Sequence, residues 1–144
     1  MMRFAFYLLF ALVGAYYAHD HYEMIAAAEA AEKAGGSEIL RAFEEKHSSH
    51  QVSGAGTVLN VLPDDSDGSR QQRFIVSLPS GQTVLIAHNI DRSTRIESIR
   101  PGDKVTFYGK YEWNEEGGVV HRTQRNPQGE HVAGWIEHNG RRYR

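Results

Sequence analysis

Hydrophobic and polar positions follow three different patterns along this chain. Residues 4–18 read Phe-Ala-Phe-Tyr-Leu-Leu-Phe-Ala-Leu-Val-Gly-Ala-Tyr-Tyr-Ala, an unbroken apolar or aromatic run of 15 behind the single cation Arg3. From Tyr22 to Ala34 the chain is rich in Ala and Glu, with strong helix propensity but little apolar bulk. Beyond Gln51, short β-rich runs alternate with turn signals: Val52–Leu62, Arg73–Leu78, Thr83–Ala87, Lys104–Trp113 and Gly118–Thr123. They are separated by Pro63–Gly68, Pro79–Gly81, Arg100–Asp103 and Asn114–Gly117. That rhythm predicts short strands joined by tight turns.

A helix of 15 residues rises roughly 23 Å, short of a hydrocarbon core of roughly 30 Å. Residues 1–18 are therefore expected to be a signal peptide or a short signal anchor, with a buried N-terminal helix as the alternative. Cleavage after Ala15 has small residues at Val13 and Ala15, whereas cleavage after Ala18 would place Tyr16 where a small side chain is preferred. The expected location is outside the cytoplasm: periplasmic, secreted, or held on the membrane through residues 4–18. Gly35-Gly36 reads as a helix stop and Ser37 as the N-cap of a second short helix carrying Ile39, Leu40 and Phe43. Residues 19–50 thus read as a helical stalk.

The fold class expected for residues 51–144 is all-β. Gly54 and Gly56 allow the first strand to bend sharply, and a meander, a connection through Ile96 and Ile99, and a fourth strand after Pro101-Gly102 follow. This order predicts a small five-stranded OB-like barrel, preceded by a targeting helix and a short stalk, with a β-sandwich as the alternative. On the fourth strand Val105, Phe107, Tyr111 and Trp113 share one face, expected to be core, while Lys104, Thr106, Tyr108, Lys110 and Glu112 share the other. Asn139-Gly140 between Trp135–His138 and Arg141–Tyr143 is a hairpin signal, and Asn126-Pro127 with Gly129 marks a turn.

The chain has 16 basic and 18 acidic residues, so its average excludes a protein built chiefly to neutralise phosphates. The charge is uneven, however: residues 1–50 carry four basic against seven acidic groups, residues 51–144 twelve against eleven, and arginines thicken towards the C-terminus. Cysteine is absent, which excludes disulfides and thiolate metal sites.

Two sets of residues carry candidate chemistry. Tyr108 between Lys104 and Lys110 can stack a ring and hold neighbouring anionic groups, as single-stranded nucleic acid or an acidic oligosaccharide would require. At strand ends, His88, Asn89 and Asp91, then Glu112 and Trp113, His121 and Thr123, and His131 are expected to meet at one mouth of the barrel. There His88, Asp91, His121 and His131 could hold a divalent metal or supply an acid and a base. Trp135 reads as a packing residue that closes the barrel. Asp65-Ser66-Asp67-Gly68 starts like a calcium loop, but position 12 falls on Val76, so a plain turn is expected. His19-Asp20-His21 and the pair His47 and His50 read as solvated.

The strings Gln72–Val76, Ala87-His88-Asn89-Ile90-Asp91, Tyr111-Glu112-Trp113-Asn114, Gly117–His121 and Gly134-Trp135-Ile136 resemble a bacterial family of small exported proteins whose domain has unknown function. The resemblance implies His where this chain has Gln72, Trp in place of Arg122 and His in place of Gln124, so two imidazoles are missing here. Glutamine neither exchanges protons near neutrality nor ligates zinc-like metals well. The favoured function is a non-enzymatic binding module for an oligomeric or anionic ligand. A metal-assisted phosphodiester hydrolase and an envelope-tethered protein-interaction domain are the alternatives.

Overall fold

A computed structural model describes the protein from residue 2 to residue 144; at helix residues 2–14, 16, 20, 24, 27, 28, 31, 32 and 34 it describes the backbone alone. One helix, α1 (Met2–Glu44), precedes β1 (His50–Asp65), β2 (Gln71–Ser77), β3 (Thr83–Asn89), β4 (Lys104–Glu112), β5 (Val119–His121), β6 (Trp135–His138) and β7 (Arg141–Tyr143). The chain divides into two units, the first ending at Ala31 and the second spanning Glu32–Arg144. The first unit is helical from Met2 onward. The side chains of residues 4–14 and 16, on which the targeting expectation largely rests, lie outside the described residues. Among the described residues, no helix is long and apolar enough to cross a membrane.

In the second unit five strands form a ring. Their order is β1-β2-β3-β5-β4, and β4 pairs again with β1. Every pairing is antiparallel except β3 with β5, which runs parallel. β1 makes closure possible because its 16 residues serve two partners: His50–Thr57 pair with β4 and Thr57–Asp65 with β2. The hand-over needs glycine. A Cβ on Gly56 would stand 2.2 Å from the Ser77 carbonyl oxygen, so no side chain fits where β1 turns between its partners.

Inward positions alternate with outward ones on β2, β3 and β4, and the inward set supplies the core: Phe74, Val76, Val84, Ile86, Val105, Phe107 and Tyr111, closed by Val120 from β5. The parity expected for β4 holds through Tyr111, while Trp113 is only partly buried against this core. The hairpin at Asn139-Gly140 is also as expected. Both residues have positive φ, 50° and 74°, the primed turn that matches strand twist. β6 and β5 lie end to end along one edge of β4: Tyr108 pairs with Trp135, and two residues on, Lys110 pairs with His121.

The helix differs from expectation. Gly35 and Gly36 do not stop α1; both are buried inside it, and Ile39 and Ala42 beyond them belong to the core. Glycine in a helix costs about 1 kcal/mol relative to alanine, but here it permits contact. A Cβ on Gly35 would lie 2.2 Å from the Ser53 carbonyl oxygen of β1. Burial of Ile39 and Ala42 outweighs the local preference to end the helix.

This contact predicts the sign of a substitution. Were Gly35 only a poor helix former, Gly35→Ala would stabilise the protein by up to about 1 kcal/mol. Because the methyl meets backbone, the expected result in a denaturant melt of the full chain is destabilisation by about 1–3 kcal/mol. A stabilised variant would refute the close contact.

Candidate functional site

The ring has a polar end and a helix-covered end, and the residues expected to meet at one mouth are divided between them. Trp113 lies where α1 ends: its indole donates to the Phe43 carbonyl at 3.1 Å, and its amide donates to Ser48 Oγ at 2.9 Å. Glu112 sits beside it on β4, with Oε1 3.6 Å from Lys110 Nζ and 3.5 Å from His121 Nε2. Burial works to raise the Glu112 pKa, but His121 and Lys110 hold it below the usual carboxylate range. Burial also lowers the pKa of His121, against the pull of Glu112.

His88 ends the inward face of β3 and is wholly buried, 0% exposed. Its Nε2 lies 3.2 Å from the Thr94 carbonyl and its Nδ1 2.8 Å from Thr123 Oγ1. A carbonyl can only accept, so Nε2 carries the proton and the Thr123 hydroxyl donates to Nδ1. The ring is therefore neutral with both nitrogens occupied. Burial pushes its pKa down to about 4, opposed only by the hydrogen bond to Thr94. Beside it Gln72, also buried, exchanges two hydrogen bonds with the Ile96 backbone, at 3.0 and 2.9 Å. His88 and Gln72 thus fasten the 90–103 connection across the polar end.

Thr123 and His121, expected to meet at one mouth, do not share a face, although residues two apart on an unbroken strand would. His121 points outward and is half-buried, whereas Thr123 is buried with His88. The cause is Arg122, whose φ of 55° is left-handed and rotates the chain between them. Asp91 has also gone elsewhere. It accepts from the Arg70 backbone at 2.8 Å and from the Arg70 guanidinium at 2.7 Å, which together hold its carboxyl below the usual range. His131 keeps company with Gln124 and the Val132 carbonyl. Hence His88, Asp91, His121 and His131 each have separate partners, and among the described residues no group of three or more His, Cys, Asp or Glu side chains is placed to share a metal ion. The Asp65–Gly68 stretch is a turn closed by Asp65 Oδ1 accepting from the Asp67 amide at 3.0 Å. His47 and His50 stack on each other at 5.5 Å.

The outward face of β4 gathers what the strand ends do not. Tyr108 and Trp135 are ladder partners with ring centroids 6.4 Å apart and planes tilted by 31°. Arg142 lies over the Trp135 ring at 4.1 Å, held there by Glu137 Oε2, which accepts from its Nε at 3.3 Å and Nη2 at 3.1 Å. Trp135 is consequently an outward, half-buried residue rather than one that closes the interior; Ile136 takes that place, 0% exposed. Lys104 lies at one end of β4 and Lys110 next to His121 near the other, so a row of aromatic faces and cations crosses the sheet. Sequence parity within β6 distinguishes Trp135 from Ile136 but not which of them faces in. The pairing with β4 decides it.

Fold and site together define a small, mostly stranded protein with a five-strand ring, a neutral buried histidine and an external row of aromatic and cationic side chains. The chain belongs to the family described as protein of unknown function (DUF3465), whose pattern matches residues 23–144, in agreement with the resemblance to a domain of unknown function. No curated protein matches the chain.

The depressed pKa of His88 has a measurable consequence. Between pH 6.5 and about 4 the unfolded chain binds a proton at this ring that the folded chain refuses, so stability falls as pH falls through that window. The full span corresponds to about 3 kcal/mol. Asp91, Asp103 and Glu112, whose values lie below the usual carboxylate range, lose stability chiefly at lower pH. His121 adds a slope of the same sign as His88, so the contribution of His88 is read as the difference between two proteins. His88→Gln is expected to be less stable at pH 7 but flatter between pH 6.5 and 4 in chemical melts. An equal slope in both proteins would show that His88 is not the buried neutral group.

Proposed function

We propose that the chain is an exported, non-enzymatic binding module whose ring is an OB-like barrel, and that it holds an elongated anionic oligomer along the outer face of β4. The observation that carries this reading is the row Arg142, Trp135, Tyr108 and Lys110, with Lys104 at its flank. Aromatic faces accept flat ligand rings with little regard to their identity, and cations alongside neutralise a charged backbone. Closure of β4 onto β1 and the parallel β3–β5 pairing support the barrel assignment. The apolar stretch 4–18 supports export, either by cleavage or by retention as an anchor.

Binding is preferred to metal-assisted hydrolysis because the hydrolase needs His88 as a ligand or base, and that ring would first have to give up both Thr123 and Thr94. An interaction domain for a protein partner remains an outcome of the same test. Single-stranded nucleic acid and an acidic glycan are the two ligands to be titrated, each at two salt concentrations. Trp135→Ala and Tyr108→Ala are expected to weaken binding by about 1–3 kcal/mol each, and Lys104→Gln or Lys110→Gln to lower the salt slope by about one charge each. Absence of salt-sensitive binding to both ligands would end this reading.

A further inference from the structure

A depression of about 310 Å³ opens at the polar end of the ring, on residues that the aromatic row does not use. Asn89 from the end of β3, Arg92 beyond it, His121 and Arg122 from the end of β5, and Gln124 and His131 from the following loop line it. The loop is braced by its own contacts. Asn126 Nδ2 donates to the His131 carbonyl, Asn126 Oδ1 accepts from the Glu130 amide at 3.0 Å, and Glu130 pairs with Arg92 at 3.1 Å across the opening.

Besides His121, whose buried Nε2 has only its 3.5 Å contact with Glu112, two lining groups lack partners of the right kind. Gln124 is 4% exposed, and its Nε2 lies 3.4 Å from His131 Nε2 while its buried Oε1 has no hydrogen-bond partner among the described residues. The neutral form of the neighbouring ring orients the amide. His131 Nδ1 lies 2.7 Å from the Val132 carbonyl and donates to it, so in that form Nε2 is an acceptor facing the Gln124 NH2. Turning the amide over would set oxygen against a lone pair, so Oε1 remains an acceptor in want of a donor. The second group is Arg122. It is half-buried in a left-handed backbone conformation, and among the described residues its guanidinium has no hydrogen bond or ion pair. A fork of five N–H donors without an acceptor suits a planar or tetrahedral oxyanion.

We infer that this depression binds a small oxyanion bearing a hydroxyl group, with the anion on Arg122 and the hydroxyl donating to Gln124 Oε1. A hexuronate unit has both features; so does a sugar phosphate, and the shared chemistry is an oxyanion next to a hydroxyl donor. Arg92 cannot replace Arg122 in this role while Glu130 holds it, and its part is to fix the far wall.

The test is calorimetric titration of the full chain with glucuronate, glucose 6-phosphate, glucose and acetate. Glucuronate or glucose 6-phosphate, or both, should bind at least tenfold more tightly than glucose, which lacks the anion, and acetate, which lacks the hydroxyl. The stronger of the two names the source of the oxyanion. Arg122→Gln should reduce that affinity tenfold or more, and Gln124→Met should bring it to the level of acetate without altering acetate binding. Thermal melts of both variants exclude unfolding as the cause.

The idea is overturned if neither sugar anion binds, or if acetate binds as well as both. It is equally overturned if Gln124→Met keeps full affinity, because a trapped water would then account for the open acceptor. Trp135→Ala should leave binding of these small ligands unchanged. Loss in that variant would assign them to the aromatic row instead, so the two sites can fail separately.

Discussion

Ring closure depends on one strand satisfying two neighbours. β1 must give its first half to β4 and its second half to β2, and the change of partner falls at Thr57, which pairs with both Lys104 and Ser77. A strand cannot change partners while carrying side chains on the crowded side, and Gly56 removes that obstacle where Ser77 comes closest. Closure in turn creates the interior. Once Phe74, Phe107, Tyr111 and Ile86 fill it, each 0% exposed, no room is left for a solvated site between the strands. Polar chemistry must therefore lie outside the ring or at its ends.

At the polar end the chain meets a second constraint. Every buried polar group there needs a partner, and His88 with Thr123 and Thr94, and Gln72 with Ile96, meet that need by tying loops to strands. Charge is kept out of the same volume, since burial holds the His88 ring neutral well below its ordinary pKa. The contrast with Gln124 is informative. Its nitrogen faces His131 while its oxygen is left open, as are Ser93 Oγ and His121 Nε2 nearby, so these atoms stand apart from the paired His88 and Gln72.

Much of the architecture could be read from sequence because it rests on local signals. The alternation in β4, the turns at Arg100–Asp103 and Asn139-Gly140, and the strand runs themselves follow from side-chain period and from residues that tolerate positive φ. The helix past Gly35 was not readable, because the reason for that glycine is Ser53, a neighbour in space and distant in sequence. The site was half readable. Tyr108 with Lys104 and Lys110 could be placed outward by parity, but Trp135 and Arg142 join them only through the β4–β6–β7 pairing. The four residues read as a possible cluster go to separate partners that lie far off in sequence or in loops, Asp91 to Arg70 and His88 to Thr94 and Thr123, and one separation has a local backbone cause. Parity assumes an unbroken strand, and Arg122 at φ 55° breaks it between His121 and Thr123.

That same angle links the two candidate surfaces. β5 and β6 occupy one edge of β4 in succession, so the residues between them must leave the sheet after His121 and return at Trp135. A left-handed residue at the exit is costly for arginine and is retained where the surroundings over-determine it. Here the turn delivers Thr123 inward to His88, leaves His121 outward beside Lys110, and sets the Arg122 side chain at the rim of the loop's depression. One interruption in a strand thus completes the buried hydrogen-bond set and also marks the boundary between the aromatic row and the depression. A substitution at this position therefore has to be judged on both: glycine would relieve the backbone while removing the only unpaired guanidinium lining the depression among the described residues, so stability and ligand affinity should move in opposite directions.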